Sequence, residues 1–564
     1  MKQPLKRMLT IRSTTFFPFI ILFSINVFAQ LVRIDIDTRQ EIGPLCPFWT
    51  YFGYDESNFT YMPDGRKLLS EISELSPRSV YIRTHNLLTT KEGTPTLKWG
   101  FTNAYTEDGS GNPVYEWTVL DSIIDCYIER GLRPLMEIGF MPKALSTHPE
   151  PYQHSWEDKG PFWTGWTYPP KDYNKWAELV YQWVKHSIER YGKEEVTTWL
   201  WQVWNEPDIG YWSGTFEEYL KLYDYAVDAV KRACPECIVG GPHTTNPNGK
   251  SGNKYLKGFL EHCLGGTNYA TGEMGSPLEF VAFHAKGNPK LVDGHIQMSM
   301  GTQLQAIETG FQIVQSFPEL KGIPVIIGEC DPEGCAACSE EREPRYGYRN
   351  GTMYPSYTAA SFAKIYELMD AYQVNLQGVL TWAFEFEGQP WFAGFRDLAT
   401  NGVDKPVLNV FRMYGLMSGT RLKVNASSGL SASDIIAKGV RQQPDIHALA
   451  ARGDQSITIM VWHYHDDNVP AGEAEIELSI QGIDCDQLLT HHYRVDQEFS
   501  NSFEAWKAMG RPQDPTAEQY MELERAGQLQ LYMSPEWLNP VDDMITMNFA
   551  LPRQAVSLIR LTWD

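Results

Sequence analysis

The sequence predicts an α/β protein: a (β/α)8 barrel followed by a β-sandwich. Strand patterns and helix patterns alternate eight times over about 370 residues, which is typical of that barrel. From about Leu422 the pattern changes to short alternating strands. The chain has 564 residues, which is long enough for a full barrel and a second domain.

Eight apolar runs of strand length mark the predicted barrel strands. An open, doubly wound sheet is the structural alternative, but that fold is expected to carry a glycine-rich phosphate loop after its first strand, and none is present. The predicted strands are Phe48–Tyr54, Ser79–His85, Arg133–Phe140, Thr198–Trp204, Ile238–His243, Phe280–His284, Pro324–Glu329 and Gly378–Phe384. Helix-patterned runs between them include Ser122–Arg130, Asp172–Tyr191, Phe216–Arg232, Met300–Phe317, Tyr357–Tyr372 and Pro406–Met417.

The domain boundaries follow from these patterns. Residues 38–420 are expected to form the barrel and residues 421–564 the β-sandwich, with an alternating edge strand at 30–37 as a candidate member of the second domain. The segment Ser500–Gly527, with a helical pattern at Thr516–Ala526, interrupts the sandwich. The sandwich strands are predicted at Ile435–Ala437, Ile446–Ala451, Ser456–Trp462, Glu473–Ile480, Thr490–Val495, Gln528–Tyr532 and Val556–Thr562.

The charge and composition exclude some partners. A net charge of -22 and a pI near 5.1 argue against nucleic acid or an anionic membrane surface. The 18 Trp and 29 Tyr residues fit a large core and, in addition, stacking platforms for sugars. Whether the protein forms a homo-oligomer stays open at this point.

The first 29 residues have the pattern of a secretory signal peptide. Basic residues come first, an apolar run follows from Phe16 to Phe28, and Val27-Phe28-Ala29 resembles a cleavage site before Gln30. The apolar run is short for a membrane span, so no membrane attachment is expected after its removal. The mature protein is therefore expected to be periplasmic or secreted.

Nine cysteines include two pairs with a two-residue spacing, Cys234/Cys237 and Cys335/Cys338. Four thiolates invite a zinc interpretation. The barrel argues against it, because the first pair precedes strand five and the second follows strand seven. Those positions lie on opposite faces, roughly 20 Å apart. Local disulfides or free thiols are expected instead.

The stretch Trp199–Asp208 carries the strongest functional signal. Asn205 and Glu206 follow directly after an apolar, aromatic strand. Pro207 has no N–H, so it cannot donate the next hydrogen bond between the strands. A carboxylic acid beside indole rings is partly desolvated, which is expected to raise its pKa and suit it to proton donation. A helix-capping glutamate is the plainer interpretation.

A second carboxylate, Glu329, ends predicted strand seven. Catalytic groups of barrel enzymes lie at the C-terminal ends of strands, and strands four and seven face each other across the mouth. Glu206 and Glu329 are therefore expected to lie close together. Trp204-Asn-Glu-Pro207 resembles the acid/base motif of retaining glycosidases, which implies that the pair flanks one glycosidic bond, with Glu206 as acid/base and Glu329 as nucleophile. A buried ion pair is the alternative for Glu329. Carboxyl groups about 5–5.5 Å apart would indicate a retaining reaction.

Other strand ends offer polar or aromatic groups to a sugar. Asn205 is expected to bond the 2-hydroxyl, and His85 and His284 end strands two and six. Arg83 is expected to hold Asn205 or Glu206. No metal is required, and no metal-binding motif is found. The further candidates for substrate contact are Trp382 as a stacking floor and Glu385 and Glu387 as hydroxyl acceptors.

With both carboxylates placed, nearly the whole mature chain resembles glycoside hydrolase family 39, the β-xylosidase and α-L-iduronidase family. The acid/base motif Trp204-Asn-Glu-Pro-Asp208 matches the family's, and Arg83-Thr-His85-Asn-Leu-Leu and Leu132–Pro142 resemble its strands two and three. The segment Ser502–Gln519 is similar to an excursion of bacterial β-xylosidases. The resemblance implies retaining exo-hydrolysis of an oligosaccharide without a cofactor, most simply release of xylose by a β-xylosidase.

Two segments instead resemble the iduronidase branch. Gly328-Glu-Cys-Asp-Pro-Glu-Gly334 has Glu-x-Asp-Pro at the nucleophile, and His284-Ala-Lys-Gly287 places Lys286 where iduronidases hold the uronate carboxylate. A solvated loop charge is the alternative for Lys286, and Arg396 is a candidate second cation. An α-L-iduronidase-like, uronidase or other pentosidase activity is therefore the alternative. A non-catalytic carbohydrate-binding protein is the alternative from another class.

Overall fold

A computed structural model of the chain describes residues 30–91, 95–155, 161–163 and 165–563. The predicted signal peptide at 1–29 lies outside these residues. Eight parallel strands form a closed barrel in which each strand pairs with the next along the chain and the eighth pairs with the first. The predicted barrel is confirmed. Its strands are Tyr51–Tyr54, Tyr81–Thr84, Arg133–Ile138, Leu200–Val203, Ile238–Thr244, Phe280–Lys286, Val325–Asp331 and Leu376–Trp382.

A helix follows each barrel strand, and its apolar face packs on the barrel. The helices Pro63–Ser73 and Lys250–Gly265 lack a matching prediction, because both begin with turn-forming glycine-containing sequence. The eight helices are Pro63–Ser73, Thr118–Ile128, Tyr173–Tyr191, Phe216–Ala233, Lys250–Gly265, Met300–Gln315, Met353–Tyr372 and Pro406–Gly415.

The second domain is a nine-stranded sheet that includes the start of the described chain. Gln30–Pro44 pairs antiparallel with Thr420–Ala426 and parallel with Ala474–Gln481. It is therefore an inner strand, and the expectation of an edge strand is wrong. In chain order the remaining strands are Asp445–Gly453, Ser456–Tyr464, Leu488–Val495, Gln530–Leu538, Met544–Leu551 and Val556–Thr562.

The sheet forms a sandwich because alternate residues of distant strands share one apolar core. Ile34, Ile459, Leu478 and Phe549 all belong to this cluster. The strand predicted at Ile435–Ala437 is wrong: Ala432–Lys438 is a helix that begins with the Ser431 hydroxyl accepting from the Asp434 N–H. An apolar run this short does not distinguish a strand from a helix.

The excursion contains two helices, Ser502–Ala508 and Ala517–Gly527, the second of which overlaps the predicted one. Its aromatic side chains pack against the loop after the eighth barrel strand. The ring of Trp506 lies 5.0 Å from that of Phe392, and the ring of Tyr520 lies 6.1 Å from that of Trp391. The excursion thus ties the second domain to the top of the barrel.

Both closely spaced cysteine pairs are local disulfides, Cys234–Cys237 and Cys335–Cys338. The other five cysteines are free thiols. Among the residues that the structure describes, none of the helices is both long and apolar enough to cross a membrane.

Short elements complete the description. The helical ones are Lys193–Val196 and the 3-10 turns Ser57–Phe59, Pro318–Leu320 and Pro344–Arg349. The two-stranded hairpins pair Tyr105–Glu107 with Pro113–Tyr115, Gln153–Ser155 with Pro161–Trp163, Lys290–Val292 with His295–Gln297, and Ala399–Thr400 with Val403–Asp404.

Candidate active site

Glu206 lies just beyond the fourth barrel strand on a strained backbone. The strand ends at Val203, three residues before Glu206, so the ladder stops earlier than Pro207 alone would require. Trp204 has a φ of 72° and Glu206 a φ of 42°, both in the left-handed region. Such conformations cost about 1–3 kcal/mol each and persist where the surroundings fix them. Here the Glu206 N–H donates to the His243 carbonyl at 3.0 Å.

Glu329 lies on the seventh strand, in the middle of the barrel mouth. A carboxylate oxygen of Glu329, one of Glu206 and a ring nitrogen of His284 all lie within 4.8 Å of one another. An approach this close fits the paired carboxyl groups of retaining glycosidases, which are about 5–5.5 Å apart, and is too short for the gap of about 6.5–9.5 Å in inverting ones. The two predicted carboxylates therefore meet at one point.

Arg83 holds the Glu329 side of the site together. The guanidinium is fully buried and donates from Nη1 to Glu329 Oε1 at 3.0 Å. Nη2 donates to Glu137 at 3.0 Å and to Asn205 Oδ1 at 2.9 Å, and Nε donates to Gln202 at 3.1 Å. The expected bond to Asn205 is present. Of the two predicted catalytic carboxylates, Arg83 contacts Glu329 and not Glu206.

Lys286 and His284 surround Glu329 from the sixth strand. The Lys286 ammonium bonds directly to Glu329 Oε2, so the alternative of a solvated loop charge is wrong. His284 Nδ1 lies 3.6 Å from Glu329 Oε1. Burial raises the pKa of Glu329, but His284, Lys286, Arg83 and His85 outweigh that effect and hold it well below its ordinary value. Glu329 is therefore ionised.

Glu206 departs from the expected raised pKa. Burial does raise the pKa of its carboxyl, and so does the neighbouring charge of Glu329. The charge of Lys286 and the hydrogen bond from His284 Nδ1, at 2.9 Å, outweigh both, so the net pKa lies below its ordinary value. The indole rings alone predict a raised pKa for Glu206, but the charge of Lys286 from the sixth strand acts in the opposite direction.

His85 and Trp382 lie directly beside the carboxylates. The rings of His85 and Trp382 are 4.2 Å apart, and the Arg83 guanidinium lies 4.9 Å from the Trp382 ring. His85 Nδ1 bonds Asp55 at 2.7 Å, and its Nε2 lies 3.0 Å from Glu137. Both rings are almost fully buried, so they shape the floor of the site.

Two candidate substrate residues, Glu385 and Glu387, are bonded to backbone groups of the protein. Glu385 accepts from the Gly402 N–H, and burial raises its pKa well above the ordinary value, so it is a buried acid held by the next hairpin. Glu387 accepts from the Asp64 N–H at 2.9 Å and so caps the helix after strand one. The expectation that both bind sugar hydroxyls is not met by these contacts.

Arg396, the candidate second cation, is fully buried behind Trp382, and its guanidinium is bonded to groups of the protein. Its Nε donates to the Trp382 carbonyl at 2.9 Å, its Nη1 donates to Glu333, and its Nη2 lies 3.4 Å from Asp331. The guanidinium therefore supports the strand that carries Trp382. Its partners neutralise the charge that a uronate would have required.

Several buried polar residues near the pair have no counterpart among the predicted site residues. They share one signal in the sequence, a charged or titratable side chain inside or just after an apolar strand. These residues are Asp55, Glu137 and His243, with Lys98, which donates to Asp55 at 2.6 Å, as a partner from a loop.

Glu206, His284 and Glu329 also have the donor types of a metal site. Their surroundings do not fit a metal ion. Arg83 occupies one oxygen of Glu329 and Lys286 the other, so a divalent cation would meet two fixed positive charges. The cluster instead fits two reacting carboxylates.

Comparisons with known proteins agree with this geometry. A family model described as Glycosyl hydrolases family 39 matches residues 32–533. The β-xylosidase of Geobacillus stearothermophilus is 26% identical over 85% of this chain and 86% of its own. The α-L-iduronidase of Mus musculus is 25% identical over 87% and 74%. A solved monomeric β-xylosidase from Caulobacter crescentus CB15 has a TM-score of 0.73 and 22% identity, covering 94% of this chain and 99% of its own.

We predict that Arg83→Met lowers the free energy of unfolding by about 3–5 kcal/mol at neutral pH, because it leaves buried carboxylates without their partner. The folded pKa of Glu329 is lowered, so its stabilisation is present above the unfolded carboxyl pKa, about 4.3, and is lost as the pH falls. The difference in unfolding free energy between the wild type and Arg83→Met, measured by urea unfolding, should therefore become smaller as the pH falls.

Arg33→Met is the matched control, because the Arg33 side chain is 65% exposed and pairs with Glu477 at the surface. Its cost should stay within about 1 kcal/mol. Equal costs for the two variants, or a deficit at Arg83 that does not change with pH, would contradict the buried-charge account.

Proposed function

This chain belongs to glycosyl hydrolases family 39, and on that basis we propose that it is a retaining, exo-acting glycosidase that releases terminal xylose from xylan-derived oligosaccharides. The observation that supports the proposal best is the close pair of Glu206 and Glu329 at the mouth of the barrel. The β-xylosidase relative supports the choice of sugar.

In the first step, Glu329 attacks the anomeric carbon and Glu206 donates a proton to the departing oxygen. The C–O bond to the leaving group breaks as the bond to the Glu329 oxygen forms. Arg83, His284 and Lys286 keep Glu329 ionised, which supports its role as nucleophile. Asn205, fixed by Arg83, is placed to bond the 2-hydroxyl as the oxocarbenium-like transition state develops.

In the second step, Glu206 removes a proton from water, and that water displaces Glu329 from the sugar. The negative charge of Glu329 is one of the effects that raise the pKa of Glu206. That charge disappears in the covalent ester, so the pKa of Glu206 falls when a base is needed. This change suits one residue to both tasks.

A carbohydrate-binding protein without activity would require the loss of one of these carboxylates. Both Glu206 and Glu329 are present and adjacent, which supports an enzyme.

We predict that Glu329→Ala loses turnover of every glycoside and that azide partly restores it by attacking the open anomeric face.

Glu206→Ala should lose at least about 100-fold in kcat/KM on glycosides with poor leaving groups and far less on activated aryl glycosides, because only the former need a proton. Steady-state kinetics on both substrate types measure this. Proton NMR of the first-formed sugar should show the same anomer as the substrate. The opposite anomer, or full activity of Glu329→Ala, would contradict the assignment.

A uronic acid substrate is the second candidate, and the position of Lys286 favours it. Its ammonium contacts Glu329 at the centre of the site, and the side chain keeps 13% exposure. A sugar carboxylate bound beside Lys286 would be stabilised by the positive charge of the same ammonium group. The α-L-iduronidase relative supports this alternative.

Lys286→Ala separates the two candidates. If the substrate carries a carboxylate, kcat/KM on an aryl α-L-iduronide should fall by about 100-fold or more, as expected for loss of a buried charged contact. On an aryl β-D-xyloside the loss should be smaller. Because Lys286 lowers the pKa of both Glu206 and Glu329, both limbs of the pH profile should move to higher pH. Lys290→Ala, an exposed lysine on the following hairpin, is the control. Unshifted limbs would contradict the placement of Lys286.

We also propose that residues 1–29 are removed on export and that the mature chain is periplasmic or secreted. The disulfides Cys234–Cys237 and Cys335–Cys338 support an oxidising compartment. Intact-mass analysis of the exported protein should give a chain that begins near Gln30. Unprocessed protein retained in the cytosol would contradict this proposal.

A further inference from the structure

His243 is a fully buried histidine with no role in the reaction described above. It lies near the end of the fifth barrel strand, next to the sixth strand that carries His284. His243 Nδ1 lies 3.3 Å from His284 Nε2, and His284 Nδ1 lies 2.9 Å from Glu206 Oε1. The two imidazoles therefore form a hydrogen-bonded chain that ends on the acid/base carboxylate.

The directions of these hydrogen bonds follow from chemistry. In the free enzyme the lowered pKa of Glu206 leaves this carboxylate ionised, so it only accepts and His284 Nδ1 carries a hydrogen. Burial lowers the pKa of His284 and lowers that of His243 further, so both rings are neutral. A neutral His284 with hydrogen on Nδ1 has a lone pair on Nε2. His243 Nδ1 must then supply the hydrogen between the two rings.

We propose that His243 is a positioning residue for this reaction: by donating from Nδ1 to His284 Nε2, it fixes His284 as a donor to Glu206 Oε1 and keeps the acid proton of Glu206 on Oε2. The inference rests on the proposed function, in which Glu206 is the acid/base. If His284 carried its hydrogen on Nε2, its Nδ1 lone pair would accept the proton of Glu206. His284 would then hold the proton that the leaving group needs.

The packing around His243 fixes the ring in this position. His243 has a φ of 53°, in the left-handed region, and its carbonyl accepts from the Glu206 N–H at 3.0 Å. Gly328, directly before Glu329, leaves room for the ring, because a Cβ there would lie 2.1 Å from His243 Nδ1. Backbone and side chain of His243 therefore touch the segments of both carboxylates.

The groups that face the two rings come from the second, fourth and seventh strands or the residues directly after them. Arg83 and His85 face His243 from the second strand, and Glu329 faces both rings from the seventh. Glu206 faces His284 from the fourth strand. The buried Nε2 of His243 has no hydrogen-bond partner among the described residues. That atom carries the lone pair in the tautomer inferred here, so no N–H is left unpaired.

The test compares His243→Ala with His243→Asn. The asparagine amide retains a donor near the position of Nδ1 and tolerates a left-handed φ, whereas alanine removes the donor. On a xyloside with a poor leaving group, His243→Ala should lose at least about 10-fold in kcat/KM, as part of the acid contribution. On the activated dinitrophenyl xyloside, kcat/KM of His243→Ala should change by less than about 3-fold. His243→Asn should recover most of the loss.

The pH profile gives a second readout. Without the donor from His243, His284 Nε2 is free to bind a proton, and an imidazolium beside Glu206 lowers the pKa of that carboxyl. The basic limb of kcat/KM for His243→Ala should therefore move to lower pH. His243→Asn should retain the wild-type limb.

Long-range proton–nitrogen NMR of protein labelled with 15N-histidine tests the tautomer without any substrate. The signal of His284 is assigned by its loss in His284→Gln. It should show hydrogen on Nδ1 in the wild type and in His243→Asn, whereas His243→Ala should show a mixture of the Nδ1 and Nε2 tautomers. An unchanged His284 tautomer in His243→Ala, or an equal loss on both leaving groups, would overturn the proposal. Inactivity of the wild type on all glycosides would contradict the proposed function. The tautomer of His284 would still test whether His243 donates to His284.

Discussion

The guanidinium of Arg83 lies inside the barrel mouth and joins side chains from the third, fourth and seventh strands. It contacts Glu137 and Asn205 through Nη2 and Glu329 through Nη1, and it has no exposure to solvent. A planar, permanently charged fork is suited to this task, and lysine would not replace it. Because each partner is buried, the positions of these three side chains depend on this one cation.

The two carboxylates differ through their neighbours rather than through their depth. Both are nearly buried, and burial raises the pKa of each. Glu329 is surrounded by Arg83, Lys286 and two histidines, whereas Glu206 receives one direct hydrogen bond from His284 and the more distant charge of Lys286. Lys286 acts on both residues, so a substrate group that engages Lys286 changes the proton balance of the whole site.

Much of the fold could be predicted from local pattern, because strand and helix periods are strong over long segments. The meeting of Glu206 and Glu329 followed from barrel geometry, since strand ends converge at one face. The contacts of Arg396 and Glu387 could not be predicted, because they depend on how the loops after strands seven and eight fold. The lowered pKa of Glu206 likewise depends on Lys286, whose side-chain direction no sequence pattern specifies.

The central claim is that Glu329 forms a covalent bond to the sugar while Glu206 handles the proton. The most direct measurement is mass spectrometry after incubation with a 2-deoxy-2-fluoro xyloside bearing an activated leaving group, which slows the second step more than the first. We predict an added mass of one fluorosugar, located by peptide fragmentation on Glu329. A label on another residue, or active enzyme that never acquires the added mass, would contradict the account.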